Sequence, residues 1–473
     1  MDYFTSGLQR QANFQISDCS QNFLQRISNL CGSYEMSDVT LVVGGTEYPA
    51  HRLLLCLSSE VFRVMLMNKE WNEAQERKVV LQESTQCCKH FHKFLAFFYR
   101  GKICISVDDC LPILCLADKY NVKELSATCL EYMCLHIAYA ATNSILLSWM
   151  QYTNCCGHTA AAQACQNFVL WNFSTVARAD DFCYLELESI ISILQQNDLV
   201  VKDELELYRL VIYWLELQKL RLAESDLDTE ETLASYTQAT MKCIRFPMMT
   251  PRQLADLLLQ NEVKKYKEFF VDRLALGMAF HSDEKQQLAK LMEGESELML
   301  VPRIYTADTW SSVVVIEKYS DIQSYHTSTL VFSIPASFSE CNQSSHIEWV
   351  VDFYPRGLWY PKGLLITWEG TKEVPEAVLK TCRLSITCRD PETLERNHFH
   401  AKIGVLVSGM SAGIEHVANV VYKHHYFDRG NSVLHLDDVL PYEKLLRSKF
   451  LVGEHLDTLK LRIVIQPLDD VVR

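Results

Sequence analysis

The residues best equipped for chemistry in this chain are histidines and cysteines set close together. They are His51 in "EYPAHRLLL", Cys87 and Cys88 ahead of His90 and His92, and Cys155 and Cys156 ahead of His158. A histidine serves as a general base when a nucleophile and an orienting group converge on it. Cysteine and histidine together hold structural zinc when four ligands converge. On a helix Cys88 and His92 share a face at i, i+4, but that makes two ligands, and no second pair follows at a matching spacing. His51 stands in an apolar run with no nucleophile beside it, the setting of a hydrogen-bonded core histidine. No Ser-His-Asp arrangement, phosphate-binding glycine loop or zinc-protease motif occurs in the sequence. The expectation is a chain with no catalytic residue, no metal site and no cofactor, and so not an enzyme.

The elements that would position these residues are set by a chain of 473 residues, long enough for about three domains. Its formal net charge of -14, with no long basic run, argues against a nucleic-acid partner, because phosphate binding draws on clustered Lys and Arg. The first residues, "MDYFTSGLQRQANFQISDCS", lack the basic start and apolar core of a secretory signal, so a cytoplasmic location is expected, with the nucleus also open to it. The 18 cysteines fall within apolar runs, where thiols act as small buried hydrophobes rather than as a disulfide framework. From Tyr132 to Ala177 there is no Asp, Glu, Lys or Arg. Asn143, Gln151, Asn154, His158, Gln163 and Asn167 nevertheless interrupt that stretch too often for a membrane span, and buried helices are expected.

Phe23, Ile27 and Leu30 recur at helical spacing ahead of Gly32, which predicts an amphipathic helix over about Ser20 to Cys31. "VTLVV", Gly44-Gly45 and "EYPA" predict a β-hairpin. "RLLLCLSSEVFRVMLM" is helical, "KVVLQ" a strand, and "CCKHFHKFLAFFYRG" a helix stopped at Gly101. Two helices follow from Asp109, placed as an N-cap with Pro112 in the first turn. Helices then continue to about residue 290 without a strand, clearest in "DELELYRLVIYWLELQKL", where Leu207, Leu210, Val211, Trp214 and Leu215 form one stripe and Asp203 with Glu206 a capping box. From Val301 the pattern turns to short β-rich runs, among them "WSSVVVIEKYS", "HIEWVVDFY", "AKIGVLVSG" and "LKLRIVIQPL", which predicts an all-β sandwich.

"SDVTLVV", "YPAHRLLL", "LSSEVFRVML", "FYRGKI" and "CLADKYNVKELSATCLEYM", in that order, resemble a BTB/POZ domain. "NSILLSWMQYTNCCGHTAAAQACQNFVLWNFSTVARADDF", with "CIRFPMMTPRQL" further on, resembles the BACK domain that follows BTB in many cullin-3 adaptors. "HIEWVVDFYPRGLWYPKGLLITW" and "VLPYEKLLRSKFLVGEHLDTLKLRIVI" resemble a TRAF-like, or MATH-like, β-sandwich. The resemblance implies a multidomain chain: an N-terminal segment with a dimerisation helix at 1–33, an α+β BTB/POZ domain at 34–136, an all-α BACK helical domain at 137–290, a linker at 291–300 and an all-β TRAF-like sandwich at 301–473.

The resemblance also implies site residues. Phe23, Ile27 and Leu30 would cover a partner subunit in a homodimer, and Asp38 and Arg52 match the family's charges at the dimer centre, where each must be compensated. Cullin-3 would meet the loop "MLMNKEWNE" through Met67 and Glu70, with Tyr120 as a contacting aromatic. The loop departs from the usual hydrophobic-x-Glu pattern, because Asn68 stands at the hydrophobic position with Met67 one residue earlier. Met67 and Trp71 packing within the domain is the competing reading. In the sandwich, Trp349, Tyr354, Trp359 and Tyr360 are the aromatics available to line a groove for an extended peptide of an unknown substrate protein, a role that weighs against core packing.

The function these features imply is a non-enzymatic homodimeric substrate adaptor of a cullin-3 RING ubiquitin ligase, with BTB and BACK recruiting cullin-3 and the sandwich holding substrate. A secreted or matrix glycoprotein of the galectin-3-binding-protein type is the alternative, and it would use the sequons at Asn172 ("NFS") and Asn342 ("NQS"). Asn172 lies in a helical segment, where a glycan fits only on an exposed face. A BTB scaffold without cullin binding is a further alternative, and a DNA-bound corepressor lacks a zinc-finger array or basic region here.

Overall fold

The computed structural model describes residues 18–223, 229–282, 285–323, 326–339, 346–356, 364–367, 370–373, 381–389, 399–411, 413–441, 445 and 450–468. The chain divides into two compact units, Met1–Leu135 and His136–Arg473.

The first unit is the expected α+β domain. β1 (Val39–Val43) pairs antiparallel with β2 (Thr46–Ala50) and parallel with β3 (Lys78–Leu81). The β1–β2 turn holds Gly44 and Gly45 at φ 55° and 82°, two consecutive positive values that residues with a Cβ adopt poorly. Helices Arg52–Ser58, Glu60–Met67 and Thr85–Arg100 pack an aromatic core, in which Phe62 stacks on Tyr120 with ring centroids 4.5 Å apart and Phe98 meets Phe94 edge-on at 5.2 Å. The helix expected to start at Asp109 begins earlier, at Val107, with Ser106 as its N-cap. Asp109 is the third helical residue, its buried carboxylate accepting from the Ser106 N–H at 2.5 Å and paired with Lys93, so Pro112 lies beyond the first turn.

The second unit joins the helical region to two four-stranded sheets. In the first, the strand order is β14-β11-β8-β7, and in the second β13-β12-β15-β6. Their ranges, in chain order with the short strands, are β4 (Val200–Val201), β5 (Ile304–Tyr305), β6 (Ser311–Ile316), β7 (Ser328–Pro335), β8 (His346–Tyr354), β9 (Leu364–Thr367), β10 (Gly370–Glu373), β11 (Thr381–Cys388), β12 (Phe399–Ser411), β13 (Ile414–Phe427), β14 (Val433–Pro441) and β15 (Leu459–Pro467). The sheets face each other across Trp349 of β8, which lies 4.8 Å from Phe427 and 5.8 Å from Phe399 of the other sheet. They form the sandwich the sequence predicts.

Two results depart from the sequence reading. The helical stretch contains a strand, β4, that pairs parallel with β5 across a hundred residues of chain. A two-residue strand has no periodicity of its own to read, and it exists because β5 is there to pair with it. The sandwich sheet is also covered on its outer face. Residues 401 to 407 of β12 are buried without a break. Leu406 and Val464 on the outer face pack with Val200 and Ile304, and Trp171 from the helix Thr159–Trp171 closes on them. A strand buried on both sides reads as a continuous apolar run, which "AKIGVLVSG" does.

Beside that apolar patch sits a fully buried ion pair. Glu204, at the start of the helix Glu204–Ala223, lies 3.2 Å from Arg303, and both side chains are 0% exposed. Glu204 also accepts from the Tyr305 hydroxyl at 2.7 Å and from the Arg245 backbone N–H at 2.7 Å. Arg303 donates to the carbonyls of Leu194, Gln196 and Cys243, and Arg245 to Val301 O and Asn197 Oδ1. Lys402 Nζ donates to Asn197 O at 2.6 Å and to Pro302 O at 3.0 Å. The acceptors on Leu194 and Gln196 end the helix Leu187–Leu194, where unpaired carbonyls and the helix dipole both favour cations.

Glu204→Gln removes the carboxylate while keeping the shape, and leaves the buried Arg303 without its counter-charge. It is expected to cost about 3–5 kcal/mol in the urea-unfolding transition of the second unit, with the transition of the first unit unchanged. Burial, reinforced by Arg245, holds the Lys402 ammonium down to about 7. The unfolded chain keeps that proton to about pH 10, so between pH 7 and 10 it binds the extra proton and folding stability rises with pH; below 7 the cost of the buried charge is fully present. The unfolding midpoint of the second unit should therefore rise between pH 7 and 9.5 more steeply in the native chain than in Lys402→Met.

Candidate functional site

His51 is buried, its backbone N–H donating to the Tyr99 hydroxyl at 3.1 Å. Its Nε2 lies 2.9 Å from Glu35 O and must donate there, which leaves Nδ1, 2.9 Å from Tyr99 Oη, to accept. Both ring nitrogens are spent on holding the start of the helix Arg52–Ser58. Cys88 donates to Glu83 O and His92 sits on Lys89 O. Among the described residues no group of three or more His, Cys, Asp and Glu side chains is placed to hold a metal, and no helix is long and apolar enough to cross a membrane.

The surface of the first unit is built by Arg52. Its guanidinium donates to Leu66 O (2.7 Å), Ala74 O (3.1 Å), Glu73 O (3.4 Å) and Glu76 O (2.6 Å), so one side chain gathers both ends of the segment 67–76. Its backbone N–H donates to Asp38 Oδ1 at 2.7 Å. The two charges singled out in the sequence are thus tied within one chain through the backbone of Arg52. The clasped segment presents Met67 (63% exposed) and Trp71 (48%) to solvent, with Glu70 exposed between them, so neither apolar side chain is packed away in the domain. Tyr120 is set differently from the expectation. Its ring is 3% exposed, stacked on Phe62, and its hydroxyl donates to Glu83 at 2.5 Å, so it braces the helix Glu60–Met67 from beneath instead of presenting a face.

The helix Ser20–Asn29 buries none of its own residues. Ile27 and Leu30 are half-covered, the helix lying against Thr85–Arg100, whereas Phe23 is 62% exposed. Sequence reasoning missed Leu53 and Leu57, one turn apart on the helix Arg52–Ser58 and about 70% exposed. The signal was present in "RLLLCLS", which carries more leucine than the single inward face of a short helix takes.

In the sandwich, Trp349 is 0% exposed and belongs to the core, which corrects its candidacy for a groove. Tyr354 is half-buried at the end of β8, and Trp359 and Tyr360 lie outside the described residues. Of the two sequons, Asn342 lies outside the described residues. Asn172 is 8% exposed, and its Nδ2, the atom a glycan would occupy, donates to Phe168 O at 3.1 Å and Val417 O at 3.0 Å while Oδ1 accepts from the Val417 N–H at 2.8 Å. No disulfide joins the cysteines of the described residues.

Comparison with known proteins places these features. Residues 28–137 match the BTB/POZ domain, residues 146–259 the "BTB And C-terminal Kelch" domain, and residues 300–469 the "BTBD17 TRAF domain". BTB/POZ domain-containing protein 17 of Xenopus laevis is 29% identical over 366 residues, 76% of this chain and 72% of the relative. The Homo sapiens protein of the same name is 30% identical over 352 residues, 73% of this chain and 68% of its own. Galectin-3-binding protein of Mus musculus is 22% identical over 361 residues, covering 72% of this chain and 60% of that protein.

Arg52→Ala removes all four side-chain hydrogen bonds to carbonyls and is expected to destabilise the first unit by on the order of 2–3 kcal/mol. Hydrogen–deuterium exchange read by mass spectrometry should show faster exchange confined to residues 66–76, with the β1–β2 hairpin protected as before.

Proposed function

The chain belongs to the family of BTB/POZ domain-containing protein 17, and from that premise we propose that it is a cytoplasmic, non-enzymatic, homodimeric substrate adaptor of a cullin-3 ubiquitin ligase. One observation carries the reading: a rigidly held segment, clasped by Arg52 and flanked by folded helices, keeps Met67, Glu70 and Trp71 at the surface of a BTB domain that is followed by BACK. Large apolar side chains held out on an ordered scaffold are what a protein interface needs, because little conformational entropy is lost on docking. Met67, one residue before the usual hydrophobic position, is the apolar anchor, and Glu70 the charge beside it.

Phe23, Leu53 and Leu57 are among the exposed apolar residues of the same unit, and the self-association reading assigns them to a second copy. Dimerisation would present two substrate-binding ends and two cullin-binding ends, raising avidity for a multivalent target. No residue of the chain performs the transfer. The glycoprotein reading draws support from the galectin-3-binding relatives, but Asn172 counts against it: a glycan would replace one of the two Nδ2 donors, to Phe168 O or Val417 O, on a side chain with no open face to carry it.

The test is co-purification of the full chain with cullin-3. The native chain is expected to retain cullin-3, and Met67→Asp with Trp71→Ala to lower retention about tenfold or more, with the thermal midpoint and the dimer unchanged. A folded dimer that retains no cullin-3 overturns the adaptor reading.

A further inference from the structure

We propose that a cleft at the junction of the helical region and the sandwich is the substrate-recognition site, and that it selects an acidic side chain on an extended peptide. The inference rests on the adaptor reading and names the class of substrate for it.

The cleft encloses about 370 Å³, within the range of roughly 300–1,000 Å³ typical of binding sites. Its apolar lining includes Trp171 and Val417, half-buried, over a buried floor of Val200 and Leu406. Five charged side chains line it: Lys202, Glu206, Glu415, Lys460 and Arg462. The three cations outnumber the two carboxylates. Glu415 is paired with Lys460 at 2.6 Å, and Glu206 accepts from the backbone N–H of Lys202 at 2.9 Å. Of the three cations, Lys202 carries an exposed side chain, and Arg462 spends one nitrogen, Nη1, on Thr306 O at 2.9 Å and Ser311 Oγ at 3.0 Å. The nearest acid to Arg462, Asp308, is 4.0 Å away and fully exposed, where attraction is weak.

Lys202 and Arg462 are linked through the β4–β5 pair. Arg462 holds Thr306, the Thr306 N–H donates to Val201 O at 2.9 Å, and the Ala307 N–H donates to Lys202 O at 3.0 Å. In a chain with a net charge of -14, a cleft lined by three cations and two carboxylates, one of them already paired with Lys460, is complementary to a carboxylate. The strand edge beside the cleft is already closed at Val417. β13 bulges between Asn419 and Val417, and Asn172 occupies both backbone groups of Val417. The peptide is therefore held there by side chains, not by strand addition, with its acidic residue between Lys202 and Arg462 and a neighbour on the half-buried Trp171.

The experiment pans a phage-displayed random heptapeptide library on the full chain and measures the enriched peptides by fluorescence anisotropy. The expected result is a peptide set with Asp or Glu at one fixed position, affinity weakened about tenfold or more by Lys202→Glu, and affinity recovered when the acidic position of the peptide is changed to lysine. Arg462→Glu should behave alike, and if it fails to fold, Lys202→Glu, whose side chain lies on the surface, still decides the matter. Absence of enriched peptides, peptides without an acidic requirement, or binding indifferent to Lys202→Glu each overturns the proposal. Cullin-3 retention measured on the same variant separates the two readings: retained cullin-3 with no acidic preference sinks the cleft alone, and acidic-peptide binding without cullin-3 sinks the adaptor alone.

Discussion

The second unit depends on one carboxylate. Glu204 is fully buried, and burying an unpaired charge costs several kcal/mol, so its surroundings are obliged to compensate it. Arg303, the Tyr305 hydroxyl and the Arg245 backbone N–H do so. They arrive from two parts of the chain, 303–305 and 245, and the two arginines bring obligations of their own. Arg303 and Arg245 are buried cations in excess of the one carboxylate, and what satisfies them is a row of carbonyls at 194–197, 243 and 301. The arrangement pins the end of the helix Leu187–Leu194, the "IRFP" segment and the entry to the sandwich to one point. It explains why helices and sandwich form one compact unit even though the sequence changes character sharply near Val301.

The first unit solves a related problem with the same type of residue. Arg52 has no carboxylate at its guanidinium; it uses four main-chain carbonyls, matching the fixed fork of its donors to the curve of the segment 67–76. Lysine could not span these acceptors, because its ammonium is a single point at the end of a flexible stem. The exposed side chains on that segment are therefore presented by a buried network beneath them, in which Tyr120, Phe62 and Ser59 hold the preceding helix.

What could be read in advance was local. The hairpin at Gly44-Gly45, the αL stop at Gly101, the sandwich after Val301 and the cap of the helix at Glu204 are all written in neighbouring residues, and Asp203 does accept from the Glu206 N–H. What escaped was non-local. β4 is two valines whose strand character comes from Ile304 and Tyr305; Trp349 and Tyr120 carry the right aromatic type for an interface and spend it on the core; Leu53 and Leu57 look like core leucines until the single inward face of their helix is seen to be filled. β7 is hard to read for a different reason. It is a sheet edge with alternating half-exposed residues, so "STLVFSIP" lacks the full contrast between faces that marks a half-buried strand.

The register of β12 on β15 ties the buried charges and the cleft into a single design. Lys402 is opposite Gln466, Gly404 opposite Val464 and Leu406 opposite Arg462, and these residues share the outer face of the sheet. Along that face the chain writes a buried lysine, then an apolar middle of Leu406 and Val464, then Arg462 and Lys460. A one-residue slip would turn these cations into the sandwich core, so the apolar inner face fixes the register and the register fixes where the charges stand. At one end the helical region closes over the sheet and supplies carbonyls for Lys402. At the other it stops short, leaving Arg462 with donors to spare at an open cleft. The same alternation that lets a helical region weld onto a β-sandwich thus determines where that weld remains open, and with which sign of charge.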